Sequence, residues 1–545
     1  MASKSRFQAI RGTRDLLPPD TALWNRVEQT AHEVFTTYGF GEIRPPIFEA
    51  TELFARAVGT ETDVFAKELY SFMDAPDVSH LEQARDAVKE VNPGIAAEGK
   101  QDVFELYLDN FISKVEQSIS SRQLRLSAKA KPDFETLKAR HRELVGLPDS
   151  NDEDTNNRRR LLTLEIIIKL DFLRFGEPVV LRPEATASVC RAYIEHNMQQ
   201  LPQPVKLYYI GPMFRRERPQ KGRYRQFYQI GAEVLEATRP DVAKDAAKEL
   251  GKDATVDAEV IEMLMTFFDR VGLTGTELSI NSIGHAADNC RRGYVELLRS
   301  KLHEVSEDLG EESKRRIETN PLRVLDSKLE HEQAIIATLP RIADHLCDEC
   351  KTHYAAVKRD LDLRGVTYRE NWRLVRGLDY YMRTTFEITA KGLGSQNAVC
   401  GGGRYDGLVE LLGGPPTKGI GFAIGEDRLI LSLQEGGVDR SAVTDKKVAA
   451  AQGPDVFIAW MGQTAYVTAI RAAKTLRNAG FRVELPATEL KFGKALERAS
   501  KLGSRFALIL GEDEVSSGMW TVKNLADGTQ TKMYDSAVVE FLKRG

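Results

Sequence analysis

The sequence predicts an α+β fold with an antiparallel sheet, interrupted by helical insertions and followed by a smaller C-terminal α/β domain. Three observations predict it. Residues 206–236 hold two apolar runs on either side of a polar segment, the pattern of a β-hairpin. Residues 75–177 and 284–365 are highly charged and helical in pattern. Beyond residue 453, apolar strands alternate with helical segments, which is typical of a small α/β domain.

Composition places the chain among large multidomain proteins. With 545 residues, 42% hydrophobic and 29% charged, it can bury several cores. No apolar run approaches the ~18 residues of a membrane span, and the start MASKSRFQAI lacks the apolar centre of a signal peptide. Five cysteines, an odd and sparse set, argue against a disulfide framework. We therefore expect a cytoplasmic protein without membrane contact.

The first elements are a helix, an extended segment and a hairpin. Residues 21–38 carry apolar side chains at helical spacing, namely Leu23, Trp24, Val27, Ala31, Val34 and Phe35. Residues 42–47 include two prolines, which favour a sheet edge or an interface. Residues 67–72 and 179–187 are predicted as the two arms of a hairpin, the second running into a helix. In the charged block between them, the polar run 149–158 indicates a surface loop.

The polar segment of the central hairpin is cationic. It holds Arg215, Arg216, Arg218, Lys221, Arg223 and Arg225. Such density repels itself unless an anion binds, and guanidinium forks match phosphate oxygens in pairs, so a nucleoside triphosphate is the natural candidate. A solvated basic hairpin is the alternative. On the following strand, alternation places Gln229 and Glu233 on one face, toward that ligand.

Cys347 and Cys350 form the one CxxC pair of the sequence. A structural zinc site needs about four ligands, and His345 and His353 lie nearby in the chain. A plain helical segment explains the same residues, and we expect no metal ligands among them.

Four segments resemble the motifs of class II aminoacyl-tRNA synthetases, in their histidyl-tRNA synthetase form. FRRERP at 214–219 with GRYRQF at 222–227 is similar to the second motif. WRLVRGLDYY at 372–381 is similar to the histidine-specific signature. GIGFAIGEDR at 419–428 resembles the third motif, whose glycines would let the backbone approach the adenine. The family usually has Gly-Leu-Glu-Arg where this chain ends Gly-Glu-Asp-Arg. The helix and prolines of 21–47 resemble the first motif, which implies a homodimer interface.

The resemblance implies a site for ATP and L-histidine. Arg376 and Arg215 would be catalytic, with Arg376 against the α-phosphate. The residues implied to bind ATP are Arg215, Glu217, Arg223, Arg376 and Arg428, and Mg²⁺ would accompany the triphosphate. The residues implied to bind histidine are Glu184, Ala185, Thr186, Gln229, Glu233, Tyr380, Tyr381 and Tyr405. Without the resemblance, Glu184 is also explained as an acid at a helix start.

The resemblance also implies a domain organisation. The expected parts are a catalytic domain (1–74, 178–283 and 366–430), a charged helical insertion (75–177), a helical insertion domain near the acceptor arm of the tRNA (284–365), a linker (431–452) and an anticodon-binding domain (453–545). The last part carries 13 Lys and Arg against 10 Asp and Glu, a small excess that favours phosphate. The first insertion stands where the family has a short turn. Either extra tRNA contact or a surface elaboration would explain it.

The function implied by the resemblance is that of a histidine–tRNA ligase. ATP would activate L-histidine to histidyl-adenylate, and the activated carboxyl would pass to the 3′ end of tRNA(His). The alternative is a non-catalytic, histidine-sensing regulatory subunit of ATP phosphoribosyltransferase, which resembles this catalytic domain. A general nucleic-acid-binding module is a second alternative, but it would not need the paired carboxylates of the pocket. Adenylate formation distinguishes the ligase from both.

Overall fold

The structure is a computed structural model that describes residues 7–60, 62–74, 78–91, 101–121, 124, 126, 130–148, 152–173, 175, 177–238, 246–378, 380–390, 398–436 and 453–544. Its strands are β1 (Gly41–Glu42), β2 (Phe48–Ala50), β3 (Tyr70–Asp74), β4 (Glu177–Leu181), β5 (Val205–Phe214), β6 (Gln226–Ala237), β7 (Glu277–Ser282), β8 (Arg369–Glu370), β9 (Met382–Thr389), β10 (Ala398–Arg404), β11 (Thr417–Gly425), β12 (Val456–Trp460), β13 (Val483–Glu484), β14 (Phe506–Leu510), β15 (Met519–Asn524) and β16 (Gln530–Tyr534).

The helices are α1 (Thr21–Thr37), α2 (Thr51–Val58), α3 (Asp63–Lys67), α4 (Ser79–Val91), α5 (Gln101–Ser120), α6 (Ala130–Val145), α7 (Glu153–Phe172), α8 (Thr186–Glu195), α9 (Ala246–Val271), α10 (Gly293–Glu304), α11 (Glu311–Thr319), α12 (Glu330–Ala337), α13 (Asp348–Leu363), α14 (Leu408–Leu411), α15 (Glu426–Glu435), α16 (Gln463–Asn478), α17 (Phe492–Lys501), α18 (Glu512–Ser517) and α19 (Asp535–Arg544). Within the described ranges, every helix is too short or too polar to cross a lipid bilayer.

A sheet of eight strands, in the order β1-β5-β6-β11-β10-β9-β7-β8, forms the centre of the first domain. Its inner strands pair antiparallel, and only the short edge strands β1 and β8 run parallel to their neighbours. The predicted cationic hairpin is confirmed as β5 and β6, which pair from Val205 and Leu235 to Phe214 and Gln226. The predicted fold class is therefore confirmed.

Helices α1 and α9 cover one face of this sheet. All six apolar residues predicted to form the buried stripe of α1 are buried. They pack against alternate side chains of β6, such as Ile230 and Val234, and against Phe267 of α9. Each fully buried side chain of this kind contributes roughly 1.5–3 kcal/mol. This packing leaves the opposite face of β6, with Gln229 and Glu233, available to the site.

The predicted hairpin arms are confirmed as β3 and β4, which pair antiparallel in a three-stranded sheet with β2. Between them, α4 to α7 form a helical unit with its own apolar core, which includes Phe104 and Phe111. The prediction of a loop at 149–158 is wrong for its described second half. Asp152 caps α7 by accepting a hydrogen bond from Thr155 N at 2.8 Å, so the helix already begins at Glu153. Residues 149–151 lie outside the described residues.

The remaining parts also follow the predicted pattern of elements. Helices α10 to α13 pack around a separate core between β7 and β8. The C-terminal part holds a five-stranded sheet in the order β13-β12-β14-β15-β16 with helices between its strands, as an α/β domain requires. Helix α15 runs to Glu435, so the expected linker cannot begin at residue 431, and residues 437–452 lie outside the described ones.

Candidate active site

Most of the predicted site residues surround one cleft on the large sheet. The cleft has a volume of about 300 Å³, which suits a small-molecule site. The predicted residues that line it are Glu184, Thr186, Arg215, Glu217, Arg223, Gln229, Arg376, Tyr380, Tyr381 and Arg428. Ala185, Glu233 and Tyr405 are buried and are not among the described lining residues. The fold thus brings motifs that are far apart in sequence to one place.

One end of the cleft is cationic. Arg215 and Arg223 flank Glu217, with N–O distances of 3.9 and 3.3 Å. Arg428, in the first turn of α15, donates a hydrogen bond to the Ala398 carbonyl at 3.0 Å. Burial and the nearby charge of Arg223 lower the pKa of Arg428. Three cations around one carboxylate leave an excess of positive charge, which favours binding of a phosphate chain.

Arg376 reaches the cleft from the loop that precedes β9. Its Nη1 donates to Glu387 Oε2 at 3.1 Å, and its guanidinium lies 5.9 Å from the Tyr381 ring centroid. The guanidinium can lie against β10 because residue 401 is glycine, and any Cβ there would overlap it. Sequence reasoning missed Glu387, which also lines the cleft. Its signal was the single acid of β9, a strand whose other residues are apolar or hydroxyl-bearing except for Arg383.

Glu184 lies at the start of α8 and lines the cleft. Its Oε2 accepts a hydrogen bond from Thr186 N at 2.7 Å, and its Oε1 accepts one from Ala187 N at 3.0 Å. The carboxyl therefore caps the helix, which is the alternative that the sequence left open. Burial raises the pKa of Glu184 although the helix N–H groups and Arg215 oppose the rise. Gln229 lines the same cleft, and its buried Oε1 has no hydrogen-bond partner in the described part of the chain.

Glu233 belongs to a buried hydrogen-bond chain that ends at the cleft wall. Thr186 Oγ1 donates to its Oε1 at 2.6 Å, and Tyr405 OH donates to its Oε2 at 2.5 Å. Burial raises the pKa of Glu233 to about 8, and the charge of Glu184 adds to the rise. Gly421 of the third motif also makes room for this acid, because a Cβ at that position would overlap the Glu233 carboxyl.

Three tyrosines pack around this chain. The ring centroids of Tyr380 and Tyr381 are 4.7 Å apart, and those of Tyr380 and Tyr405 are 5.7 Å apart. Burial raises the pKa of all three hydroxyls, so they are neutral hydrogen-bonding groups at ordinary pH. The arrangement can enclose a flat aromatic ring and present polar atoms at its edge.

The N-terminal segment also contributes to the site, which the sequence did not indicate. Asp427 lines the cleft, accepts a hydrogen bond from Tyr228 N at 2.9 Å and pairs with Arg14 Nη2 at 2.7 Å. The Arg14 guanidinium lies 4.2 Å from the ring centroid of Tyr224, another lining residue. Asp427 is therefore held in place by the backbone of β6 and by a segment more than 400 residues away in the chain.

The CxxC pair lies elsewhere, at the beginning of α13. Cys350 is in the first turn of this helix and Cys347 directly precedes it, so the helical expectation is confirmed only for the second cysteine. Their neighbours are His285 and Cys290, which sequence reasoning did not consider, and not His345 and His353. His353 faces Asp257, with 3.4 Å between Nε2 and Oδ2, and the ring of His345 packs on that of Tyr294.

An antiparallel sheet that carries the arginine-rich hairpin, Arg376 and the glycine-rich third motif around one cleft defines a class II aminoacyl-tRNA synthetase. A family model for histidyl-tRNA synthetase matches residues 143–429, and one for an anticodon binding domain matches residues 455–545. The chain belongs to the histidyl-tRNA synthetase family.

Individual relatives agree with the family models. The chain is 42% identical over 537 residues to the histidine–tRNA ligase of Koribacter versatilis, covering 98% of this chain and 96% of that one. It is 41% identical to the histidine–tRNA ligase of Solibacter usitatus, covering 97% and 96%. The solved apo histidyl-tRNA synthetase of S. aureus is 30% identical, with a TM-score of 0.64 and coverage of 99% and 100%.

Proposed function

We propose that the protein is a histidine–tRNA ligase that activates L-histidine with ATP and transfers it to the 3′ end of tRNA(His). The observation that carries this proposal is the position of Arg376. It lies between a cationic end that suits a triphosphate and a buried end with carboxyls and tyrosines that suits a polar aromatic amino acid. The alternative, a regulatory subunit of ATP phosphoribosyltransferase, is less supported by the named relatives.

In the first step, a carboxylate oxygen of histidine attacks the α-phosphorus of ATP and pyrophosphate leaves. The nucleophile is already an anion, so the step needs no protein base. Negative charge grows on the non-bridging oxygens in the transition state, and a guanidinium that is already in place stabilises it more there than in the ground state. Arg376 is the residue proposed for this role, with Arg215 on the other side of the phosphate.

The cationic end would hold the remaining phosphates. Arg223 and Arg428 are proposed to bind them, and Glu217 to accept the adenine amino group. The residues near the phosphates also fit Mg²⁺, because Glu387 lines the cleft and offers the oxygen ligands that this ion takes. Bound with ATP, the ion would neutralise charge on the departing pyrophosphate.

The buried end would hold histidine. The α-ammonium group of histidine can donate hydrogen bonds to Glu184, to Thr186 and to the unpartnered Oε1 of Gln229. Ala185 would form part of the pocket wall. Tyr380 and Tyr381 would flank the imidazole. We propose that Glu233, supported by Tyr405, accepts an imidazole N–H when Thr186 shifts. A ligand with an apolar ring has no N–H to replace the Thr186 hydroxyl at this carboxyl, which gives discrimination.

The remaining partners follow from the family. The C-terminal domain would bind the anticodon, and the 75–177 and 284–365 insertions are proposed as separate domains of the chain. Three apolar side chains on or beside the three-stranded sheet are exposed, namely Ile47, Phe48 and Phe72. Exposed apolar surface of this kind is typical of protein–protein contacts, which supports a homodimer. Charging of tRNA would place the protein in the cytoplasm.

Exchange of labelled pyrophosphate into ATP tests the proposal directly. We expect exchange that requires L-histidine and is absent with other amino acids. Histidine binding should be measured in parallel by calorimetry. No exchange from a preparation that still binds histidine would contradict the ligase function and favour the regulatory subunit.

A further inference from the structure

Four potential metal ligands meet at the junction between the large sheet and the second helical insertion. They are His285, Cys290, Cys347 and Cys350, whose ligand atoms all lie within 4.8 Å of one another. His285 Nδ1 is 3.2 Å from Cys350 Sγ and 3.7 Å from Cys347 Sγ. Cys290 and Cys350 are buried, and the other two are half-buried. This group lies outside the cleft, and the proposed ligase chemistry does not use it.

The chain is shaped to bring these atoms together. Directly after β7, Gly284 adopts a φ of 63°, and the next residues form a tight turn in which Ala287 N donates to the His285 carbonyl at 2.8 Å. Cys290 N then donates to the Ala287 carbonyl at 3.0 Å. A Cβ at position 284 would lie 2.7 Å from Cys290 Sγ, so the glycine makes room for this thiol. The turn therefore presents one imidazole and one thiol to the start of α13.

We propose that these four residues bind a structural zinc ion. Three thiolates and one imidazole are a common ligand set of closed tetrahedral zinc sites. With Zn–S near about 2.3 Å and Zn–N near about 2.0 Å, tetrahedral geometry separates ligand atoms by about 3.3–3.8 Å. The two distances from His285 Nδ1, 3.2 and 3.7 Å, are close to this interval, so an ion needs only small side-chain shifts. The complete ligand set leaves no open position for substrate.

The charged groups around the cluster suit such a site. A zinc ion with three thiolates and a neutral imidazole carries one net negative charge. Arg291 follows Cys290 directly in the chain, and the backbone of Arg383 is hydrogen-bonded to Gly284, the residue before His285. Glu349 lies between the two cysteines of the CxxC pair and faces Arg383, with 3.5 Å between Oε2 and Nη2. The two cations, Arg291 and Arg383, therefore outnumber Glu349, the one acid named beside the cluster.

The site would join the helical insertion to the base of the histidine pocket. Arg291, next to Cys290, donates from Nη1 to the Tyr381 carbonyl at 2.5 Å. Arg383 N donates to the Gly284 carbonyl at 2.8 Å, which fixes β9 to the same turn. Zinc would therefore link the start of α13 to both segments, a structural role that is independent of whether the protein charges tRNA.

Metal analysis of the full-length protein, purified under reducing conditions without chelators, tests the site. We expect about one zinc per chain. Mercurial modification of the thiols should release it to a colorimetric indicator, and Co²⁺ exchanged into the site should show the visible bands of tetrahedral coordination and a thiolate charge-transfer band. Absence of metal, or stoichiometric iron in place of zinc, would overturn the proposal.

Variants locate the ion. Cys347→Ser and Cys350→Ser should lose most of the zinc and melt at a lower temperature, whereas His345→Ala should keep the full zinc content. His345 is a matched control because it lies in the same segment but outside the cluster. If a cysteine variant fails to fold, the Co²⁺ spectrum of the unaltered protein still decides the ligand set. Full zinc content in both serine variants would refute this assignment.

Discussion

The two ends of the cleft are built on opposite electrostatic principles. At the phosphate end, the side chains of Arg215 and Arg223 are 21% and 38% exposed, and their ion pairs with Glu217 are long. At the histidine end, Glu233 is fully buried and its two hydrogen bonds are 2.6 Å or shorter. The guanidinium groups of the phosphate end remain in contact with water, whereas the carboxyl of Glu233 at the histidine end is already desolvated.

This difference indicates how each end would recognise its ligand. A triphosphate brings its own negative charge, so loosely held guanidinium groups can rearrange around it at little cost. The buried end holds a desolvated carboxyl, and a ligand with an N–H donor for it is favoured over a ligand without one. We therefore expect substitutions at the phosphate end to affect ATP, and substitutions at the buried end to affect both histidine binding and the pH dependence of stability.

Arg376→Ala should have the largest effect, because it acts on the transition state where the two ends meet. We expect pyrophosphate exchange to fall by about 100-fold or more, with a small change in KM for histidine. Arg373→Ala is the matched control, since Arg373 belongs to the same segment but donates to Gln333 at 2.9 Å outside the cleft. Similar losses in both variants would assign the effect to the fold of the segment.

Glu233→Gln should lower kcat/KM for histidine by about 30-fold, since an NH2 donor replaces one of the two acceptor oxygens and the carboxylate charge can no longer form. It should also change how stability depends on pH. The pKa of Glu233 is raised from 4.5 to about 8 in the folded state. Between these values the folded protein holds a proton that the unfolded chain lacks, so this group costs stability as pH rises, at about 1.4 kcal/mol per unit. The variant should become relatively more stable from pH 5 toward pH 8.

Glu426→Gln is the control for this pair of effects. Burial also raises the pKa of Glu426, and neither of its carboxyl oxygens has a hydrogen-bond partner among the described residues. Denaturant unfolding across pH should show a similar stability gain in this variant, but kcat/KM for histidine should be unchanged. A histidine defect of equal size in both variants would mean that Glu233 has no special relation to the ligand.

Arg428→Ala should have a smaller effect that is confined to ATP. Loss of one charge-assisted contact to phosphate predicts a rise in KM for ATP of about tenfold, with KM for histidine unchanged. Arg428→Lys keeps the charge but loses the fork, and it should recover part of the loss. Steady-state exchange at varied ATP and histidine measures both constants. A rise in KM for histidine instead would erase the distinction between the two ends.

The same contrast explains what the sequence could predict. At the phosphate end, Arg215, Glu217 and Arg223 are close together in the chain, and the hairpin and its arginines were recognisable from local pattern alone. The buried stripe of α1 was equally local. Glu387 could not be paired with Arg376 from sequence, because their contact depends on the order of β9 and β10 in the sheet and on the missing Cβ of Gly401.

Contacts between residues far apart in the chain also explain why local pattern could not predict the Glu233–Tyr405 hydrogen bond or the cysteine cluster. Glu233 meets Tyr405 only because β11 lies between β6 and β10, with Gly421 opposite Glu233. His285 reaches the CxxC pair through a turn that follows β7, while the histidines nearer in sequence point elsewhere. Nearness in the chain was a poor guide to nearness in space wherever sheet order or a glycine turn decides the contact.

Tyr405→Phe should have the smallest effect, because it removes only one hydroxyl group from the buried end. The hydroxyl donates to Glu233 at 2.5 Å and is one of the contacts that lower the pKa of that carboxyl, so its loss should raise this pKa further. We expect kcat/KM for histidine to fall about fivefold, which corresponds to one ordinary hydrogen bond of about 1 kcal/mol.

Tyr294→Phe provides the matched comparison for this last substitution. Tyr294 is also buried, and its hydroxyl donates a hydrogen bond to the Pro340 carbonyl at 2.9 Å, and neither residue lines the cleft. Both variants should lose a similar free energy of unfolding, because each loses one buried hydrogen bond. Only Tyr405→Phe should change the pH profile of histidine binding. If both leave that profile unchanged, the chain from Tyr405 through Glu233 to Thr186 is a packing feature of the core and does not tune the pocket.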